Sequence, residues 1–388
     1  MKPTRKIIRV TTVAISLGGL LNGQLKYLSK YFNLIGVSSS GGETLNKVGK
    51  QENIPVFPIE MTRKISPIRD LKAVWELFRL FRREKPDIVH SITPKAGLLS
   101  MIAAFLARVP LRLHTFTGLI FPYRTGFIQK LLIYSDRILC FCATNVYPEG
   151  QGVKKDLKKF RITSKPLKVI ANGNVNGVNL EYFNPDAYSE EINSTLRKKL
   201  EFNSEDYVFL FAGRIVTDKG VNELISAFKK LSAERTGVKL LILGDYERKL
   251  DPVLPQTEAA IENDDDILCM GWQNDVRPYF AIANCLVLPS YREGFPNTVL
   301  QAGAMRLPSI VTDISGSNEI IEEGINGSIV PTKDETALYG AMHLFASGNL
   351  HFDGEVCRKI IIDKYEQQYV WKKILEEYEG LLNQLHMK

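Results

Sequence analysis

The sequence predicts an α/β protein of two domains built on parallel sheets, and three observations carry that reading. Strand-length apolar runs alternate with helix-period segments throughout the chain. Its 388 residues, 45% of them hydrophobic, exceed one ordinary core and suit two. Charge divides the halves: residues 1–185 hold 29 Lys and Arg against 11 Asp and Glu, whereas residues 186–388 hold 21 against 32. A run rich in Asn, Gly and Pro at 171–185 reads as the linker, which places the boundary near 185.

The first strand is expected at 7–13, followed by Ser16-Leu17-Gly18-Gly19-Leu20 as a turn into a helix at 22–31. Glycine lets a backbone approach a ligand and equally makes a tight turn, so Gly18 and Gly19 are candidate ligand contacts. Further strands are expected at 34–38, 88–91 and 111–116. Between the last two, Thr93-Pro94-Lys95-Ala96-Gly97 opens an apolar helix, where Lys95 is a candidate phosphate contact or a solvated cation. Basic helix faces are expected at 75–83 and at Lys154, Lys155, Lys158 and Lys159, with Val153, Leu157 and Phe160 opposite the second group. The second half repeats the pattern with strands at 208–212, 239–243, 267–270, 285–288 and 309–312. The segment 369–385 closes with Val370, Ile374, Leu375, Tyr378 and Leu382 at helical spacing.

Several function classes are excluded at this level. The five cysteines, without a CxxC pair and mostly within apolar runs, read as reduced thiols of a cytoplasmic protein. No stretch reaches the roughly 20 apolar residues that span a bilayer. The basic first half suits an anionic, phospholipid-like membrane face better than nucleic acid, because it carries no recognised nucleic-acid module. Asp264-Asp265-Asp266 precedes a strand instead of closing one, and reads as an acidic surface loop; no metal and no other cofactor is expected.

The chemistry concentrates in two segments. After the 208–212 strand, Gly213-Arg214-Ile215-Val216-Thr217-Asp218-Lys219-Gly220 offers a guanidinium and an ammonium before a helix near Val221, an arrangement suited to an anion. After the 285–288 strand, Glu293-Gly294-Phe295-Pro296-Asn297-Thr298 brings a carboxylate to the start of another helix, whose free N–H groups favour phosphate oxygens. Gly213, Gly294, Phe295, Pro296, Asn297 and Thr298 are therefore candidates for holding a diphosphate and a sugar. A surface pairing of Glu293 with Arg292 is the competing reading.

These segments resemble glycosyltransferase family 4, retaining enzymes of the GT-B fold, in particular the bacterial surface-polysaccharide subgroup. The resemblance implies two Rossmann-like domains facing across a cleft: an acceptor domain at 1–185, a nucleotide-sugar domain at 186–366, and a C-terminal helix at 367–388 returning to the first. It implies that Arg214 and Lys219 bind the donor diphosphate and that Glu293 touches the donor sugar, making these three the catalytic candidates. The family's second Glu, on the ribose, is here Gln301, whose amide can still bond a diol. Where relatives carry a cleft His-Gly, this chain has Thr117-Gly118, with His114 three residues earlier. Lys95, His114, Thr117 and Gly118 are the acceptor-side candidates. Asn179 replaces the family's junction Asp. The implied activity is transfer of a hexose or N-acetylhexosamine from a nucleotide donor, expected to be a UDP-sugar, to a lipid-linked saccharide. Capsule, lipopolysaccharide or another surface glycan would be the product, made at the inner face of the cytoplasmic membrane. A sugar-nucleotide 2-epimerase and a non-catalytic nucleotide-sugar-binding protein are the alternatives.

Overall fold

The computed structural model describes residues 5–62 and 66–386. Two compact units form; the first runs to Gly177 and resumes at Gln367, and the second spans Val178–Glu366. The division falls at 177/178, ahead of the expected 185, because Val178 donates its N–H to the Tyr365 carbonyl and Phe183 packs in the second core. Asn179 has a local task here: its side-chain oxygen accepts the N–H groups of Glu181 and Tyr182, each at 3.0 Å, closing a turn.

In the first unit, one wing consists of β1 (Lys6–Val13), α1 (Ala14–Leu20), α2 (Gln24–Leu28), β2 (Asn33–Ser39), α3 (Thr44–Glu52) and β3 (Val56–Pro58). The other consists of α4 (Pro67–Glu84), β4 (Ile88–Ser91), α5 (Pro94–Leu106), β5 (Leu111–Phe116), α6 (Gly126–Cys142), β6 (Asn145–Pro148) and α7 (Gln151–Lys159). The strands form a parallel sheet in the order β3-β2-β1-β4-β5-β6. Helical crossovers cover both faces, so the strands are apolar on both sides. Ile8, Val10 and Val37 face Leu77, Leu99 and Leu139. On the reverse face Ile7, Leu34 and Leu113 pack with Leu17 and Leu25 and with Val370, Ile374, Tyr378 and Leu382 of the C-terminal helix.

The second unit begins with α8 (Glu190–Lys199), β7 (Tyr207–Ala212), α9 (Val221–Glu234), β8 (Val238–Leu243), α10 (Pro255–Asn263) and β9 (Ile267–Cys269). It continues through α11 (Arg277–Ile282), β10 (Cys285–Leu288), α12 (Asn297–Ala304), β11 (Ser309–Thr312), α13 (Ser317–Ile320), β12 (Gly327–Val330), α14 (Glu335–Ala346) and α15 (Gly354–Tyr365). The helix that rejoins the first unit is α16 (Gln367–His386). This sheet is also parallel, in the order β12-β11-β10-β7-β8-β9. Each sheet thus has its first strand in the middle and reverses direction beside it, between β1 and β4 and between β7 and β10. Ligands of such sheets bind at the carboxyl ends of those strands.

The structure corrects two expectations about elements. The helix expected at 22–31 is α2 alone, while α1 starts directly after β1 and contains Gly18 and Gly19; Gly23, at φ +77°, separates the two. The strands β3, β6 and β12 were not expected, since each is three or four residues long, and β3 and β6 end in Pro. Such edge strands carry too little apolar pattern to stand out.

Candidate active site

The site grows from how the loops after β7 and β10 lock together. Gly220 ends a single 3-10 turn (Thr217–Lys219) at φ +69° and starts α9. A Cβ on Gly220 would lie 2.0 Å from the Pro289 carbonyl oxygen, so only glycine lets the two loops meet. Tyr291 donates its N–H to the Asp218 carbonyl at 2.8 Å. The Arg292 guanidinium donates twice to the Asp218 carboxylate, at 2.9 and 2.7 Å. Arg292 is therefore committed to Asp218, and Glu293 is left for another partner. That partner is Lys219, whose ammonium donates to Glu293 Oε1; the same oxygen accepts Ser290 Oγ at 2.8 Å.

Arg214 stands nearer solvent, half exposed, and donates to Glu247 Oε2 at 2.5 Å. Gly213, Arg214, Lys219, Thr298 and Gln301 line one pocket of about 490 Å³. Its remaining wall comes from the loops after β8 and β9, with Asp245, Glu247, Trp272 and Gln273. These residues were not among the sequence candidates. Their available signal was a glycine just after each of β7, β8 and β9, namely Gly213, Gly244 and Gly271, with Gly213 N–H bonded to Leu243 O and Gly244 N–H to Gly271 O, both at 2.9 Å. At Gly244, φ +139°, a Cβ would stand 1.9 Å from the Gly213 carbonyl oxygen. Trp272 keeps 71% of its surface exposed beside this pocket, offering a flat π face.

Other candidates have different places. Phe295 is buried with its ring 5.4 Å from that of Tyr365, and buried Pro296 precedes the first turn of α12; these two side chains hold the helix in place and do not line the pocket. Gly294 lies in the same loop, where its carbonyl oxygen would be 2.3 Å from a Cβ on Gly316. Asn297 is exposed on the first turn of α12.

In the first unit, Lys95 gives its charge to Asp70, with Nζ 2.5 Å from the carboxylate and only 14% of the side chain exposed. His114 is buried between Phe116, 4.5 Å away ring to ring, and Gly97, and accepts or donates to Ser91 Oγ at 2.8 Å. Burial pushes its imidazole down to about 3, so it is a neutral core residue without a surface to meet an acceptor. Gly18 serves packing: a Cβ there would meet Val48 Cγ2 at 2.7 Å, while Gly19 faces open space. Thr117 and Gly118 lie half-buried in the loop after β5, with Gly118 at φ +107°.

The pocket can therefore accept an anion by exchange. Two cations now matched to carboxylates would transfer to phosphate oxygens, which releases Glu293 and Glu247 toward neutral hydroxyls.

Comparisons with known proteins follow the same division. Residues 206–346 match the sequence model described as "Glycosyl transferases group 1", and residues 39–173 match "Glycosyl transferase 4-like domain". The chain is 31% identical to the capsular polysaccharide biosynthesis glycosyltransferase CapM of Staphylococcus aureus, over 98% of both chains. It is 28% identical, over 80% of this chain and 79% of the other, to the Escherichia coli UDP-Gal:alpha-D-GlcNAc-diphosphoundecaprenol alpha-1,3-galactosyltransferase. Among solved structures, Anabaena Alr3699/HepE in complex with UDP superposes with TM-score 0.79 at 18% identity, covering 97% of this chain and all (100%) of that one. A glycosyltransferase from Rickettsia africae gives 0.78 at 24%, over 97% and 98%. With both units matched and nearly the whole length shared with a relative, the chain belongs to the group 1, family 4-like glycosyltransferases and has their two-unit α/β GT-B architecture.

Proposed function

We propose that this glycosyltransferase moves a hexose or N-acetylhexosamine, with retention of configuration, from a UDP-sugar to a lipid-linked saccharide during synthesis of a capsule, lipopolysaccharide or related surface glycan. The observation that carries the reading is the meeting of Arg214, Lys219, Thr298 and Gln301 in one pocket at the reversal point of the second sheet, with Glu293 bonded to Lys219. The names of the Staphylococcus and Escherichia relatives support the pathway and the lipid-linked acceptor. Structural neighbours solved with UDP and with UDP-glucose support the donor class.

In this reading Arg214 and Lys219 tighten on the β-phosphate as the glycosidic bond breaks and charge builds on the bridging oxygen. Glu293, once exchanged off Lys219, orients the sugar hydroxyls; the Gln301 amide bonds the ribose, and Trp272 stacks on the base. The first turn of α12 adds its N–H groups. The departing phosphate takes the proton of the acceptor hydroxyl, so no paired carboxylates are needed. The two cations also make a metal dispensable, and turnover is expected to persist in chelator. The protein acts at the inner face of the cytoplasmic membrane as a peripheral enzyme; among the described residues no helix is long and apolar enough to cross a membrane.

Incubation with a panel of labelled UDP-sugars and a lipid extract from a glycan-producing bacterium tests this. UDP release with label in the lipid fraction is expected, and Lys219→Ala should reduce turnover about 100- to 1,000-fold while the fold is kept. Near-normal transfer by that variant would remove the assigned site, and a free altered sugar nucleotide formed without lipid would indicate an epimerase instead.

A further inference from the structure

The helices α4, α5 and α6 lie side by side on one face of the first sheet, α5 in the middle, and bury Leu77, Leu99 and Leu139 inward. Their outward surface is unusual for a water-facing layer. On α6, Phe127, Leu131, Tyr134, Ile138 and Phe141 recur at spacings of four and three, which aligns them on one side of the helix. All five are exposed, Phe127 at 79% and Phe141 at 71%. Fifteen residues at 1.5 Å each make this stripe about 20 Å long. It continues onto α5 through Phe105, exposed and 5.8 Å from the Phe141 ring. On α4, Ile68, Leu71 and Trp75 repeat the same exposure, with Trp75 stacked on Phe78. The stripe on α6 with Phe105 is one continuous apolar surface, and α4 adds a second exposed patch; apolar surface of this extent marks an interaction site.

Charge decides what covers it. Residues 67–142 carry 12 Lys and Arg against five Asp and Glu. Of those acids, Asp70 is paired with Lys95, Glu76 with Lys72, Glu84 with Lys6 and Arg83, and Asp87 with Arg5, so that three of the twelve cations, Lys72, Arg83 and Lys95, are matched within the segment. On α6 itself Lys130 and Arg137 flank the stripe, and Lys165 bonds the carbonyls of Cys140 and Phe141 at its end. The carboxyl on α6, Asp136, is pushed up to about 7 by burial, so it opposes these cations only in part. A second copy meeting this face symmetrically would set Lys130 and Arg137 against their own like charges. An anionic lipid surface meets both features: phosphates for the cations, and the acyl boundary for a row of aromatic and aliphatic side chains.

We infer that the exposed apolar face of α6, with Phe105 beside it and the outer face of α4, lies flat in the interface of an anionic bilayer, anchored by the flanking Lys and Arg. The inference rests on the proposed lipid-linked acceptor for its purpose, but its test needs neither donor nor acceptor. The protein is sedimented with vesicles of phosphatidylglycerol and phosphatidylethanolamine, and with phosphatidylcholine vesicles, at low salt and at about 0.5 M salt, where exposed charges are screened beyond a few Å. Binding to the anionic vesicles is expected, with a fraction surviving high salt because the stripe is inserted. The outward-facing double substitution Ile138→Glu with Phe141→Glu should weaken that binding at least tenfold and abolish the salt-resistant fraction. Hydrogen exchange on the unaltered protein gives a second reading: vesicles should slow exchange across 126–142. Unchanged binding by the double variant, or no protection of that segment, would overturn the inference. So would self-association of the unaltered protein, lost in the double variant, without vesicle binding. A UDP-induced rise in melting temperature, measured alongside, reports on the second-unit pocket. Its absence with vesicle binding intact would count against the proposed function and leave the docking face standing.

Discussion

Lys219 and His114 show two ways a polar residue is settled by its neighbours. Lys219 is held by a loop contact that no nearby sequence position reveals: Arg292 binds Asp218, and Glu293 is thereby turned toward the ammonium. His114 lies inside the first core, where burial depresses its proton affinity, and His90 is lowered in the same way. For a base held below its unfolded value the unfolded chain binds more protons in acid. Stability is then full above the unfolded value of 6.5 and is lost as pH falls toward about 3. Between pH 6.5 and 5 the loss from His114 alone should reach about 2 kcal/mol at most. Denaturant midpoints measured across that range should fall for the native chain and fall less steeply for His114→Asn. Equal slopes would show that the imidazole is not the responsible group.

At the scale of elements, the loops that end central strands carry the site because the sheet reverses there, and their close contacts depend on glycine. Gly220→Ala would force a side chain into a left-handed conformation and against the Pro289 carbonyl. It should cost about 3 kcal/mol or more and move Lys219 away from Glu293. A lowered unfolding midpoint together with weakened UDP binding is the expected pair of results; retention of both would mean that the two loops are not locked as described. By contrast Gly18, in α1, is tied to packing on α3 through Val48.

On the scale of the whole chain, α16 completes the core of the first unit after the second has been built. Tyr378 sits at its centre, accepting Arg9 Nη1 at 2.5 Å and meeting His90 Nδ1 at 2.6 Å, while the other ring nitrogen of His90 meets Thr115 Oγ1 at 2.8 Å. Trp371 on the same helix donates to Asn176 Oδ1 at 2.7 Å. Tyr378→Phe would leave a buried guanidinium and imidazole without this partner, at a cost of about 1–3 kcal/mol. Calorimetry should show the transition of the first unit lowered and that of the second unchanged. If both fell together, the two units would be unfolding as one.

Alternating apolar strands and helix-period segments, the charge division, and the Arg214, Lys219 and Glu293 segments could all be read along the chain, because periodicity and short motifs are local properties. The central strands followed from that pattern, and so did the apolar positions of α16. Of the four edge strands, β9 followed from it as well, whereas β3, β6 and β12 did not, since they are recognised mainly by the neighbour they pair with. Trp272, Asp245 and Glu247 join Arg214 only where β8 and β9 end beside β7, and Lys95 is neutralised by Asp70 from another helix. The apolar face of α6 has the helical period of any core helix; exposure, set by which side the sheet covers, is what separates a core stripe from a docking one. Sequence thus determined the architecture, the family and the main cations. Tertiary structure alone decided which charges pair, which candidates are buried and which apolar surface stays open, because each depends on residues brought together from distant parts of the chain.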